Sequence, residues 1–259
     1  VTRLDDLFAR CRAEGRAALV GYLPVGFPSY DVSVAAMIAM VEGGVDLVEV
    51  GVPYTDPGMD GPVIQVAVDA ALRAGTRVAQ VFEAVTAVSA HAPVVVMGYW
   101  NPVEKWGPAR FAHDLKAAGG SGAITPDLIP EEAGPWLAAA REEDLDPVFL
   151  VAPSSTDERI AVVGRTNRGF VYAASTMGVT GTRATVGNRA EELVGRTRAL
   201  TGLPVCVGLG VSNGEQAAEV AAYADGVIVG SAFVKALQDG GPDAVRVLAK
   251  DLAAGVRHR

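Results

Sequence analysis

Leu47-Val48-Glu49-Val50-Gly51-Val52-Pro53-Tyr54-Thr55-Asp56-Pro57-Gly58-Met59-Asp60-Gly61-Pro62 begins as a short β-branched apolar run and ends as a glycine- and proline-restricted loop. Such a run bounded by Gly and Pro reads as a buried strand. It carries one carboxylate inside the apolar segment and a second on the loop, eleven residues later. A buried Glu is costly unless it is paired or put to use. Glu49 is therefore either half of a structural ion pair or, with Asp60 above it, an acid and a base at the mouth of one cavity.

The rest of the chain repeats the strand-then-helix pattern. Runs at Ala18 to Leu23, Leu47 to Gly51, Val94 to Met97, Gly122 to Thr125, Val148 to Val151, Phe170 to Ala174, Val205 to Gly208 and Gly226 to Val229 predict eight buried strands. Amphipathic stretches alternate with them, at Asp31 to Glu42, Pro62 to Arg73, Val78 to Ala90, Pro108 to Ala118, Glu131 to Glu142, Asp157 to Arg165, Arg189 to Leu200, Gly214 to Tyr223 and Pro242 to Ala254. Eight such units in 259 residues fit a closed α/β barrel of the (β/α)8 TIM type as a single domain over residues 1–259, since closure leaves no exposed sheet edge. No linker or low-complexity tract divides the chain. In a barrel, alternate strand residues point inward and the loops after the strands form the active face. If Val48 and Val50 face the helices, Leu47, Glu49 and Gly51 face the interior.

Composition narrows the function. Half the residues are hydrophobic but only 6% aromatic, which suits a core of Val, Ala and Leu. With 22 Lys plus Arg against 30 Asp plus Glu, the net charge of -8 argues against nucleic-acid and anionic-membrane partners, so an anionic substrate must be held by local groups. Cys11 and Cys206 are too few for a disulfide framework or thiolate metal site, which makes the cytoplasm the expected compartment. The first residues lack a signal-peptide core, and no run nears the roughly 18 apolar residues of a membrane span. His91, His113 and His258 stand apart without ligand spacing, so no metal is expected; the first two read as helix-surface positions and the third as a fraying tail.

Three glycine-bearing turns follow the sixth, seventh and eighth predicted strands: Gly178-Val179-Thr180-Gly181, Gly208-Leu209-Gly210-Val211-Ser212 and Gly230-Ser231-Ala232. Phosphate sites in such barrels use backbone N–H groups from the loops after the seventh and eighth strands and a short helix N-terminus, so no lysine is required. Alternation in Phe170-Val171-Tyr172-Ala173-Ala174 turns Phe170 and Tyr172 inward. The Tyr172 phenol is either a ligand contact or a core tyrosine satisfied by backbone.

The chain resembles the tryptophan synthase alpha subunit family. The resemblance rests on Gly51 to Gln65, close to the family signature G-I/V-P-F/Y-S-D-P-x-A-D-G-P-x-I-Q, and on Gly178-Val179-Thr180-Gly181. Support comes from Leu4-Asp5-Asp6-Leu7-Phe8, Met97 to Pro102 and the two later glycine turns, so nearly the whole chain is covered. It implies a lyase that cleaves indole-3-glycerol phosphate to indole and glyceraldehyde 3-phosphate by retro-aldol chemistry. It also implies catalytic roles for Glu49 and Asp60 with Tyr172 in support, and a phosphate cradle of Gly181, Gly210, Gly230 and Ser231. Tyr22, Tyr99 and Leu209 fall in its indole pocket, and Thr180 supports a loop.

The resemblance further implies a pyridoxal-phosphate-dependent beta subunit in an α2β2 heterotetramer, met by Asp56, Pro57, Asn101 and Asp127. This chain itself is expected to bind no cofactor. Gly58 and Met59 depart from the Leu and Ala usual in the signature, Phe27 from an Asp, and Thr176 from an Arg; these departures bear on loop closure and partner coupling. Competing readings are a freestanding indole-releasing lyase, another phosphate-binding barrel enzyme, and a non-catalytic regulatory subunit.

Overall fold

The fifth predicted strand is broken at Phe149, and the break shows how the sheet closes. The computed structural model describes residues 1–175 and 183–257. Among them nine parallel strands are present: β1 (Ala18–Pro24), β2 (Leu47–Gly51), β3 (Val94–Met97), β4 (Gly122–Ile124), β5 (Asp146–Val148), β6 (Leu150–Val151), β7 (Val171–Ala174), β8 (Val205–Gly208) and β9 (Gly226–Val229). Their order is β5-β4-β3-β2-β1-β9-β8-β7-β6. β5 pairs with β4 at one end of this order and β6 with β7 at the other, so the chain through Phe149 joins the two ends into a barrel. At Phe149 itself a side chain replaces the ladder. The Phe149 N–H donates to Asn167 Oδ1 at 3.0 Å, and Asn167 Nδ2 donates back to the Phe149 carbonyl at 3.0 Å. The main chain stays satisfied, as a buried backbone must.

Around the barrel lie α1 (Arg3–Ala13), α2 (Tyr30–Gly43), α3 (Pro62–Arg73), α4 (Val78–Ser89), α5 (Trp100–Trp106), α6 (Pro108–Ala117), α7 (Gly134–Glu142), α8 (Asp157–Thr166), α9 (Arg183–Leu200), α10 (Gly214–Ala221) and α11 (Ser231–Arg257). Three pieces go beyond the sequence reading: α1, α5 and the first part of α11. The helix predicted over Pro242 to Ala254 is the second part of α11, set off from the first by non-helical Gly240 and Gly241; Gly241 sits at φ 68°, a conformation open to Gly. α1 starts at a capping box in which Thr2 and Asp5 satisfy each other's backbone N–H. His113 is exposed on α6, His91 lies in the turn after α4 rather than on a helix, and His258 is outside the described residues.

Burial divides into two clusters that follow strand alternation. Val48 and Val50 belong to the outer cluster between strands and helices. Leu47, Val95, Ile124, Val148, Phe170, Cys206 and Ile228 belong to the inner one, joined by Leu4, Leu7, Phe8 and Cys11 of α1, which plug the amino-terminal end of the barrel. Both cysteines are free and buried. With that end filled, the open space is left at the carboxyl ends of the strands. No helix among the described residues is long and apolar enough to cross a membrane.

Candidate active site

Because Leu47 faces the barrel interior, Glu49 two residues on faces it too, one layer nearer the open end. β1 and β2 pair so that Tyr22 stands beside Glu49. Both line a cavity of about 430 Å³ at the carboxyl ends of the strands, whose walls come from β1, β2, β3, β6, β7, β8 and β9. Of the residues singled out from sequence, the cavity collects Glu49, Asp60, Tyr172, Tyr22, Leu209, Gly210, Gly230 and Ser231. Thr180 and Gly181, with Thr176, lie outside the described residues. Tyr99 is not among the lining residues; it stands behind the loop that carries Asp60.

Glu49 is only 2% exposed, and its Oε2 has no hydrogen-bond partner among the described residues. Burial, and secondarily the charge of Asp60, push its pKa from 4.5 to about 8. Among the described residues no cation pairs with it, and a pair would have lowered the pKa rather than raised it. Burial raises Asp60 less, from 3.8 to about 6, with the nearby Tyr99 hydroxyl pulling it partly back. The two carboxyls are thus pushed apart at neutral pH, one largely neutral and the other largely ionised. Burial raises the phenols of Tyr22 and Tyr172 well above their ordinary range, keeping both as neutral donors.

Among the described residues no Lys, Arg or His lines the cavity. An anion entering it meets main-chain amides instead. α11 begins at Ser231, directly after Gly230, and the first amides of a helix lack intrahelical partners. Gly210 has φ +68°, so a side chain there would be strained as well as closer to any ligand.

Two glycines make room for the phenols. A Cβ at Gly51 would fall 2.5 Å from the Tyr22 hydroxyl, and one at Gly208 would fall 2.8 Å from that of Tyr172. Tyr22 is buried. Gly51→Ala is therefore expected to lower stability by about 1–3 kcal/mol, as overpacking does. Urea unfolding of the variant checks this, and an unchanged midpoint would mean the ring moves freely.

Met97, Leu150, Ile228, Ile64 and Ala174 complete the lining and were not singled out from sequence. Met97, Leu150 and Ile228 were within reach of it, because each lies on the inward alternation of its strand. Gly58 and Met59, two of the departures from the family signature, also line the cavity, so they bear on what binds there. Phe27 is buried in the outer cluster.

The four residues singled out for a partner face follow β2, β3 and β4, which are adjacent strands; Asn101 is in the first turn of α5 and the others are on loops. Asp56 and Asp127 are exposed, and Pro57 and Asn101 half-buried. Asp127 accepts the Trp100 N–H at 2.8 Å, Asn101 Nδ2 donates to the Tyr54 hydroxyl at 3.3 Å, and Thr55 Oγ1 donates to Asp56 at 2.6 Å. Exposed Ile129 stands two residues beyond Asp127. Among the described residues no group of His, Cys, Asp and Glu could hold a metal ion.

Comparison with known proteins agrees over the whole length. A family model described as tryptophan synthase alpha chain matches residues 8–257. The tryptophan synthase alpha chain of Mycobacterium intracellulare is 61% identical over 261 residues, covering 100% of this chain and 96% of the relative. A chain of the Mycobacterium tuberculosis tryptophan synthase structure in space group F222 superposes with a TM-score of 0.94 at 58% identity over 99% of each chain. The tryptophan synthase subunit alpha of Legionella pneumophila str. Paris retains a TM-score of 0.91 at 29% identity, over 99% of this chain and 98% of that one. The chain belongs to the tryptophan synthase alpha chain family.

Proposed function

We propose that this cavity is where the chain, as a carbon–carbon lyase, cleaves indole-3-glycerol phosphate into indole and glyceraldehyde 3-phosphate, with Glu49 as proton shuttle and Asp60 as electrostatic partner. The observation that carries this reading is Glu49 itself: a buried carboxyl with an unpartnered oxygen, sharing with a second carboxyl a cavity that no cation among the described residues lines. A non-catalytic regulatory subunit would have no use for that costly burial.

The proton balance closes on Glu49 alone. Its neutral carboxyl protonates ring carbon three, leaving positive charge on the ring nitrogen. Asp60, ionised, accepts a hydrogen bond from the indole N–H and stabilises that cation, an electrostatic role for a preoriented group. The Glu49 carboxylate then takes the proton of the side-chain hydroxyl on the carbon attached to the ring. The carbon–carbon bond breaks, its electron pair returns to the ring, and an aldehyde forms. Glu49 ends neutral, as it began. Tyr172 supports the carboxylates with its hydroxyl. Tyr22 and Leu209, with Met97, Leu150 and Ile228, enclose the indole. Gly210, Gly230 and Ser231 hold the phosphate through main-chain amides, and we assign Gly181 and Thr180 to the same cradle and its loop.

Asp56, Pro57, Asn101 and Asp127 form the rim we assign to a beta subunit, which would carry pyridoxal phosphate and complete an α2β2 assembly. Two free, buried cysteines suit a cytoplasmic enzyme.

The test is indole release from indole-3-glycerol phosphate across pH, with and without a beta subunit. Below about pH 6 Asp60 takes a proton and loses its charge; above about pH 8 Glu49 loses the proton it must donate. Turnover is expected to be bell-shaped between those limits, and activation by the beta subunit to separate a biosynthetic subunit from a freestanding lyase. A flat profile from pH 5 to 9 would contradict the assigned roles.

A further inference from the structure

Three arginines gather at the amino-terminal end of the barrel, away from the catalytic cavity. Arg141 lies in the last turn of α7, Arg165 in the last turn of α8, and Arg168 just beyond α8. All three line one cavity of about 290 Å³ at the start of β5. Its apolar wall includes Leu137, Leu145 and Pro147, and among the described residues no Asp or Glu lines it. In a chain of net charge -8, a cavity lined only by cations and apolar groups calls for an explanation.

Arg168 is already paired. Its Nη2 reaches Asp144 Oδ1 at 2.7 Å, its Nε reaches Asp146 Oδ1 at 3.2 Å, and its main-chain N–H donates to the Pro147 carbonyl at 3.0 Å. Thr2 Oγ1 donates to the other Asp146 oxygen at 2.7 Å, and Glu143 faces His113 at 3.1 Å, so these neighbouring carboxylates are engaged. Arg141 and Arg165 are different: among the described residues neither guanidinium has an ion pair or a hydrogen bond. The helix positions three and four residues back, where a carboxylate could meet them, hold Ala138 and Leu137 for the first and Val162 and Ala161 for the second. A cation at a helix end gains a little from the helix dipole, but that gain is local to each helix and gives no reason for two such cations to share a cavity. Like charges there repel, and an anion between them relieves the repulsion.

We propose that this cavity is a binding site for a small organic anion, an apolar body carrying one carboxylate, with its head on Arg141 and Arg165 and its body against Leu137, Leu145 and Pro147. The charge fits: three guanidinium groups against Asp144 and Asp146 leave one positive charge unbalanced, which a monoanion matches. The size fits as well, since the volume stands at the small end of ligand cavities, roughly 300–1,000 Å³. Planar guanidinium groups suit a carboxylate, which each can take in a forked hydrogen bond. The site goes beyond the cleavage reading and does not depend on it.

Benzoate is the probe, added to the full chain and followed by amide NMR. The Leu145 and Thr166 amides report this cavity apart from the catalytic one, which Gly210 and Gly230 report. Both should shift saturably with benzoate. Acetate, which lacks the body, and benzamide, which lacks the charge, should each bind about tenfold or more weakly. Replacing both free arginines, Arg141→Gln with Arg165→Gln, should weaken benzoate by at least about tenfold. Both residues are exposed and away from the catalytic cavity, so the thermal midpoint and indole release of the double variant should match wild type. Leu145 and Thr166 amides that do not move, an affinity the double variant retains, or acetate or benzamide binding as well as benzoate overturns the site. None of these readings needs turnover, so they stand apart from any failure of the cleavage assignment.

Discussion

Glu49→Gln is expected to lose at least about a hundredfold in indole release while making the protein more stable at neutral pH. The two effects have one cause. Folding takes the carboxyl out of water and raises its pKa from 4.5 to about 8. The folded chain therefore binds this proton more tightly than the unfolded chain does, and wild-type stability falls as pH rises through that window. By pH 8 the accumulated cost is on the order of a few kcal/mol, at about 1.4 kcal/mol per pKa unit. Glutamine has no charge to desolvate, so the Glu49 part of the slope disappears in the variant. Part of the gain is returned because the buried amide has its own N–H groups to satisfy.

Thermal unfolding of wild type and variant at pH 5 and pH 8 reads this directly: the variant should gain on wild type as pH rises. A variant with near-normal turnover would remove Glu49 from the proton path. One that loses stability most at pH 8 would mean that the carboxylate has a favourable partner in the folded protein.

That burial was legible because strand alternation is rigid. A side-chain period of two fixes which residues of Leu47 to Gly51 and of Phe170 to Ala174 share a face, and the interior cluster contains Leu47, Phe170 and Tyr172 as the alternation requires. The same alternation turns Met97, Leu150 and Ile228 inward. Alternation stops where a strand stops. Tyr99 lies two residues past the end of β3, where nothing in the local pattern distinguishes a ring that enters the cavity from one tucked behind a neighbouring loop. Its position depends on the Met59 amide, forty residues away in sequence.

The break at Phe149 was hidden for a similar reason. Val148 to Val151 is apolar throughout, and only the side chain of Asn167 interrupts its ladder. α1 is hard to read from sequence because its inner face, Leu4, Leu7, Phe8 and Cys11, is short, and it becomes a core element only once a barrel exists for it to close.

Asp60→Asn separates charge from shape at the other carboxyl. Asparagine keeps nearly the same outline and can still accept a hydrogen bond from an indole N–H, but it brings no negative charge to the ring when carbon three is protonated. The interaction lost is one that grows as the cation forms, so the loss belongs in kcat, with KM little changed. Removing one preoriented electrostatic group of this kind costs about a hundred- to a thousandfold. A second consequence distinguishes this variant from a generally damaged one. The Asp60 charge is among the causes that raise the Glu49 pKa, so neutralising it lets Glu49 ionise more easily. The basic limb of the residual activity should therefore move to lower pH, while the acid limb assigned to Asp60 vanishes. Pre-steady-state indole release by Asp60→Asn across pH 5 to 9 measures both limbs at once. If the variant retains more than about a tenth of wild-type kcat, or keeps the acid limb near pH 6, charge at this position is not what stabilises the ring.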